Sequence, residues 1–255
     1  LFFAHGPDRK GEKMNMADSR KDPLILALDT HDLAEAREFL ATLRSLVHFV
    51  KIGPRLWTQG GAPFIKEVSS LGFEVFLDLK LHDIPNTVAG AVDALSDLGI
   101  WALTLHAGGG REMLEAAVSA RDDADSEMVL LGVTVLTSLD ASAFNRVCPG
   151  CRLEEAVKSR TDLCVESGID GLVCSPLDLP EVKKIAGESL VAVVPGIRPW
   201  KVSDDQKRSA TPLAAIRNGA DYLVVGRPII QADDPKAATL EILQEIEEGF
   251  RCRKS

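Results

Sequence analysis

Two acids and a lysine stand within six positions of a largely apolar stretch, Phe76-Leu77-Asp78-Leu79-Lys80-Leu81-His82-Asp83-Ile84-Pro85. Most of it reads as a buried strand, and burying unpaired charge costs several kcal/mol. Asp78, Lys80 and Asp83 are tolerable there only if they compensate one another. An ammonium set among carboxylates suits proton delivery and the electrostatic stabilisation of developing charge. Side chains alternate faces along a strand, so Asp78 and Lys80 project to one side, and Leu77 and Leu79 to the other. The same parity places Phe76 beneath Asp78, and Phe49 beneath Lys51. Asp83 falls beyond the strand, on a loop stiffened by Pro85, and need not face the pocket of its own chain.

The elements that must hold these residues are legible from Pro23 onward. β-rich apolar runs occur at Leu24–Asp29, His48–Gly53, Glu74–Lys80, Trp101–His106, Val129–Thr137, Gly171–Ser175, Leu190–Pro195 and Tyr222–Gly226. Amphipathic stretches such as Asp32–Ser45, Arg111–Ala120, Leu153–Ser167 and Pro235–Glu247 lie between them. Eight β-then-α units linked by right-handed crossovers predict a single-domain (β/α)8 barrel of parallel strands, which typically needs about 250 residues. An open doubly wound sheet is the alternative. It should carry a Gly-rich dinucleotide turn after its first strand, where this chain has Asp29-Thr30-His31-Asp32. Gly108-Gly109-Gly110 lacks that pattern and is read as the opening of a helix.

In such a barrel the chemistry sits where the strands end. The C-terminal ends are Asp29, Lys51, Asp78 with Lys80, His106, Thr137, Ser175, Pro195-Gly196 and Gly226-Arg227. Two acids and two lysines thus gather at one mouth, where a ring of purely structural ion pairs is the competing explanation. "VVGRPI" after the eighth strand offers Gly226 for close backbone approach and Arg227 to fork onto a phosphate, with Pro228 suited to a first helical turn. "VVPGIRP" after the seventh adds Gly196 and Arg198, then a polar loop through Gln206. Together they predict a phosphate site, against the alternative that both arginines are solvated surface charges. No metal set is expected, because the histidines are dispersed and no carboxylate pair has ligand spacing. His82 has the wrong parity for the barrel interior and is read as supporting rather than catalytic.

Composition narrows the class of partner. A formal charge of -9 over 255 residues argues against general nucleic-acid binding. No apolar run approaches the roughly 18 residues that cross a membrane. Five scattered cysteines in a chain this large point to a reducing cytoplasm. Cys148-Pro-Gly-Cys151 has redox or metal spacing, but no second Cys pair or nearby His completes a zinc set. It is read as a loop before a helix beginning near Leu153. Residues 1–22 show no clear periodicity and are expected to be a disordered or non-native tail, with Met14 or Met16 as plausible natural starts. The barrel domain is expected over residues 23–255.

"FLDLKLHDIPNT" resembles the signature of the orotidine 5′-monophosphate decarboxylase family. The likeness continues in "LALD" at 26–29, "VKIG" at 50–53, "VTVLTS" at 133–138, "VPGIRP" at 194–199 and "VVGRP" at 224–228. The resemblance implies a cofactor-free and metal-free homodimer that converts orotidine 5′-monophosphate to UMP. Lys80 would protonate C6 of the pyrimidine, and Asp78 would sit beside the departing carboxylate. Lys51 and Asp83 would complete the charge array, with Asp83 reaching in from the partner subunit. Asp29 and Thr87 would hold ribose hydroxyls, Thr87 again from across the dimer. Thr137 and Ser138 would contact the pyrimidine, and Arg198, Gln206, Gly226 and Arg227 the phosphate. The loop from Arg198 to about Thr211 would be the lid. A metal-dependent relative acting on a keto-sugar phosphate, and a barrel that binds a nucleotide without catalysis, are the competing readings.

Overall fold

The computed structural model describes residues 23–187, 189–199 and 208–253. Eight parallel strands close into a barrel in chain order: β1 Leu24–Leu28, β2 Phe49–Ile52, β3 Glu74–Leu81, β4 Ala102–His106, β5 Val129–Val133, β6 Gly171–Val173, β7 Val191–Val194 and β8 Tyr222–Val225. Helices follow the strands, among them α1 Leu33–Leu43, α2 Pro54–Ser70, α3 Pro85–Ser96, α4 Arg111–Asp123, α5 Ala141–Val147, α6 Leu153–Glu166, α7 Leu179–Ala186, α8 Pro212–Arg217, α9 Arg227–Ile230 and α10 Pro235–Arg253. The expected (β/α)8 barrel is therefore the fold. The triglycine forms a short 3-10 turn over Ala107–Gly109, and α4 follows directly.

Strand alternation divides the apolar residues into two cores. Ile25, Ala27, Phe49, Phe76, Leu131, Val193 and Val224 face into the barrel. Their neighbours Leu26, Val50, Leu77, Leu130 and Leu223 face outward, onto the helix layer. Phe49 and Phe76 lie in the inner set, as their parity requires. The base of the barrel is filled by aromatics: Trp101 lies 4.6 Å from Phe49 and 5.0 Å from Tyr222, ring centre to ring centre. Such a plug excludes water from below and leaves the C-terminal mouth as the open end.

Local chemistry fixes the turns between layers. The Asp32 carboxylate accepts from Ala34 N and Glu35 N at 2.9 Å, and Glu35 reaches back to His31 N at 2.8 Å. That reciprocal capping box starts α1 three residues after Asp29, so the strand-end acid is followed by a rigid turn. Pro54 and Pro85 occupy the first positions of α2 and α3, where a missing N–H costs nothing.

Two strands end two or more residues before their expected C-terminal ends. β5 stops at Val133 rather than Thr137, and β6 at Val173 rather than Ser175. Thr137 instead lies in a turn closed by Leu139 N on Leu136 O at 3.0 Å. Ser175 is buried, and its hydroxyl accepts from Leu177 N at 3.2 Å, ordering its own loop. The apolar run that suggested longer strands continues as buried loop, which periodicity cannot distinguish from strand.

Candidate active site

A continuous chain of alternating charge crosses the mouth of the barrel from β1 to β3. Asp29 follows β1, Lys51 lies in β2, and Asp78 and Lys80 lie in β3. Lys51 Nζ is 3.3 Å from Asp29 Oδ1 and 3.4 Å from Asp78 Oδ2. Lys80 Nζ is 2.7 Å from Asp78 Oδ1. Asp78 is 8% exposed, so its two cations must replace the water it has lost. Burial opposes its ionisation, but Lys51 and Lys80 outweigh burial and hold its pKa below the usual aspartate value. Burial likewise opposes the Lys51 ammonium, and Asp78 and Asp29 together overcome it and raise its pKa. All four members therefore act as a set.

Lys80 reaches this set by a distortion that strict pleating does not predict. The β3–β4 register runs Leu77 with Leu103 and then Leu81 with Leu105, so Asp78, Leu79 and Lys80 together span the place of Thr104. Lys80 has φ of 51°, the left-handed region that costs a non-glycine residue roughly 1–3 kcal/mol. Thr104 supports it: its hydroxyl accepts from Lys80 N at 2.8 Å and donates to Asp78 Oδ1 at 3.0 Å. Asp78 and Lys80 do meet at the mouth, by means of a bulge rather than an undisturbed pleat. Thr104 is fully buried and was not among the expected site residues; its place two positions before His106 on an inward-facing parity was the available signal.

The other expected residues arrange themselves around this chain. Gly226, after β8, packs tightly against β1: a Cβ there would lie 3.2 Å from Ala27 Cβ and 3.5 Å from Asp29 Oδ2. Arg227 opens α9 directly after it. Arg198 is 9% exposed, donates to Ile197 O at 2.8 Å, and its own N–H bonds Ala210 O at 2.9 Å. Gly196 sits at φ of 78°, a turn that glycine adopts without penalty. Gln206 lies outside the described residues, as does the body of the expected lid, residues 200–207. Thr137 is half-buried and Ser138 exposed. A cavity of about 220 Å³ opens beside the array, lined by Leu28, Asp29, Gly53, Pro54, Arg55 and Leu56.

Asp83 and Thr87 stand apart from the array within the chain. Asp83 is exposed and accepts from Ile84 N at 2.7 Å, and Thr87 is exposed in the first turn of α3. Ile84 between them is 66% exposed, an unusual position for a large apolar side chain next to a charged site. His82 stacks on His106 at 4.9 Å with the rings 6° from parallel. Burial, together with Arg160, His82 and Lys80, pushes the His106 pKa down to about 4, so its ring is neutral. Its Nδ1 accepts from Gly108 N at 3.1 Å.

Arg208 is a second residue that sequence reasoning missed. It is 7% exposed, donates to Asp178 Oδ2 at 2.6 Å after β6, and reaches Leu136 O at 3.3 Å after β5. One guanidinium thus ties two mouth loops together, next to Thr137. Its Nε has no hydrogen-bond partner among the described residues. Burial raises the Asp178 pKa against the pull of Arg208.

An eight-stranded parallel barrel with a chain of alternating charge at its C-terminal mouth has the architecture of a (β/α)8-barrel enzyme. Residues 22–242 match the family model described as "Orotidine 5'-phosphate decarboxylase / HUMPS family", and the chain belongs to that family. It is 45% identical over 224 residues to the orotidine 5′-phosphate decarboxylase of Halorhodospira halophila, covering 88% of this chain and 95% of that one. The Dichelobacter nodosus enzyme of the same name is 44% identical over 225 residues, at 88% and 98% coverage. Among solved structures, the orotidine 5′-phosphate decarboxylase from Lactobacillus acidophilus superposes with a TM-score of 0.78 at 38% identity, covering 88% of this chain and 99% of that one. The family makes this chain a carboxy-lyase.

Proposed function

We propose that this carboxy-lyase converts orotidine 5′-monophosphate to UMP and CO2 in pyrimidine biosynthesis, without a cofactor, and that Lys80 delivers the proton to C6. The observation that carries the reading is the unbroken sequence Asp29–Lys51–Asp78–Lys80 at the barrel mouth. Loss of CO2 from C6 leaves a carbanion with no adjacent group able to take up the pair. Stabilisation must then come from preorganised charge. Lys80 is held by Asp78 at one point and by Thr104 through its backbone, so its ammonium needs no reorganisation when charge develops. The same ammonium is positioned to protonate the carbon. Asp78, kept ionised by its two lysines, is assigned the place beside the substrate carboxylate, where its charge disfavours that ground state relative to the transition state.

Binding is assigned as follows. Asp29 takes a ribose hydroxyl, Thr137 and Ser138 the pyrimidine, and Arg198, Gln206, Gly226 and Arg227 the phosphate. The lack of a side chain at Gly226, directly before α9, supports close approach of a phosphate to the backbone there. Remote phosphate binding can then drive closure and exclusion of water over the reacting atoms. We assign Asp83 and Thr87 to the site of a second subunit. Their exposure, the absence of an ion pair to Asp83 among the described residues, and the exposed Ile84 between them support a homodimer of that design. The enzyme would work in the cytoplasm; no helix among the described residues is long and apolar enough to cross a membrane.

The test follows loss of the orotidylate ultraviolet absorbance with and without Lys80→Ala. Turnover by the parent and its near-total loss in the variant, with UMP binding retained, is the expected result. Full activity in Lys80→Ala would sink the mechanism. A parent whose activity EDTA abolishes and Mg²⁺ restores would overturn the metal-free reading and favour sugar-phosphate chemistry.

A further inference from the structure

Cys148 and Cys151 lie outside the catalytic reading, and the fold brings them together. α5 ends with Cys148 N on Phe144 O at 2.8 Å, and Cys151 N then bonds Cys148 O at 3.1 Å. Between them Pro149 has its φ fixed by its ring, and Gly150 has φ of 82°. These are the residues and angles of a type II turn, which holds its first and fourth Cα atoms within about 7 Å. A disulfide needs roughly 4.4–6.8 Å between Cα atoms. Asn145 Oδ1 accepts from Gly150 N at 3.2 Å and fixes the turn to α5.

The two side chains leave this one turn. Cys148 is half-buried against the core, while Cys151 is exposed. The Arg160 guanidinium on α6 is near enough for its charge to act on both thiols, and is anchored by Thr134 O at 2.6 Å and by the face of Phe144 at 5.6 Å. Positive charge held beside a thiol favours the thiolate that exchange chemistry requires. Cys164 and Cys174, by contrast, are buried, and burial pushes their pKa values up to about 12.

We propose that Cys148 and Cys151 form a redox dithiol that exchanges with low-molecular-weight disulfides of the glutathione class. The exposed Cys151 attacks one sulfur of the small disulfide, breaking its S–S bond and releasing one small thiol. Cys148 then attacks the Cys151 sulfur of the mixed disulfide and releases the second. The protein loses two electrons and two S–H protons; the small disulfide gains both and leaves as two thiols. The closed loop spans only four residues, so it constrains the unfolded chain little, and the bond remains reversible rather than a permanent staple. The neighbouring Cys148 raises the Cys151 pKa above the ordinary thiol value by more than Arg160 lowers it, so the first step accelerates as pH rises.

The full chain, equilibrated with reduced and oxidised glutathione and then alkylated, tests this by intact mass and peptide mapping. Expected is the joint loss of two thiols, one Cys148–Cys151 peptide, and full reversal by dithiothreitol. Cys148→Ser should instead trap a glutathione adduct on Cys151, and Arg160→Gln should slow exchange several-fold. A stable adduct on Cys151 of the parent, or two free thiols retained under a large excess of oxidised glutathione, would overturn the proposal. Neither readout depends on decarboxylation.

Discussion

Thr104 holds Lys80 by its backbone rather than by its ammonium: one hydroxyl accepts from Lys80 N at 2.8 Å and donates to Asp78 Oδ1 at 3.0 Å. The left-handed φ at Lys80 is stable because this contact satisfies the N–H that the bulge removes from the ladder. Thr104→Val keeps the shape, deletes both hydrogen bonds and leaves a buried donor unpaired, at a cost of about 1–3 kcal/mol. The proposed reaction should slow by about 10- to 100-fold in kcat with little change in KM, because Thr104 positions groups and touches no substrate. Thr104→Ser should recover much of the rate. Equal losses in both variants would make Thr104 a packing residue only.

The exposed Asp83 gives the dimer proposal a sharp consequence. Lys80→Ala and Asp83→Ala chains, each inactive alone, should regain activity when mixed. Half of randomly reassorted dimers are mixed, and each mixed dimer has one site free of both lesions, so recovery should approach about a quarter of the parental rate. No recovery despite demonstrated subunit exchange would return Asp83 to its own chain's site.

His106 makes the fold sensitive to mild acid. Its pKa is about 4 in the folded protein, against 6.5 for an unperturbed histidine, so the unfolded chain binds the extra proton first. The contribution is complete above pH 6.5 and is lost as pH falls from there toward 4. Arg160, His82 and Lys80 face the ring and each disfavours its protonation. After screening, the loss should be at most about 3 kcal/mol. Urea unfolding at pH 7 and pH 5 should show a smaller drop for His106→Asn than for the parent; identical drops would remove His106 as the cause.

Arg208 and Asp178 should be coupled. Arg208→Met strands a buried carboxylate and should cost about 3 kcal/mol of stability, the usual penalty for breaking a buried pair from one side. It should also raise the KM for the nucleotide, since Leu136 O loses its tether beside Thr137. Adding Asp178→Asn should restore part of the stability. Additive losses would mean that the two residues do not act as a pair.

What the sequence determined by itself was the rhythm and the polarity of the barrel. β-rich apolar runs separated by amphipathic stretches predict parallel strands joined by crossovers, the missing dinucleotide turn after the first run favours a closed barrel over an open sheet, and polar residues clustered at successive strand ends identify the working face. The blocks around Asp29, Lys51, Asp78, Lys80 and Gly226 were legible because each joins an apolar strand to a residue that such a strand would not otherwise carry. Tertiary structure alone decided how these groups meet. The bulge at Lys80 depends on Thr104, a threonine on a neighbouring strand that looks in sequence like an ordinary β-branched strand residue. The Arg208–Asp178 tether joins residues 30 positions apart on different loops, and no local periodicity encodes that pairing. The Cys148–Cys151 turn looked like plain loop for the same reason: whether two thiols and a guanidinium come near one another is set by how α5 and α6 pack, not by spacing.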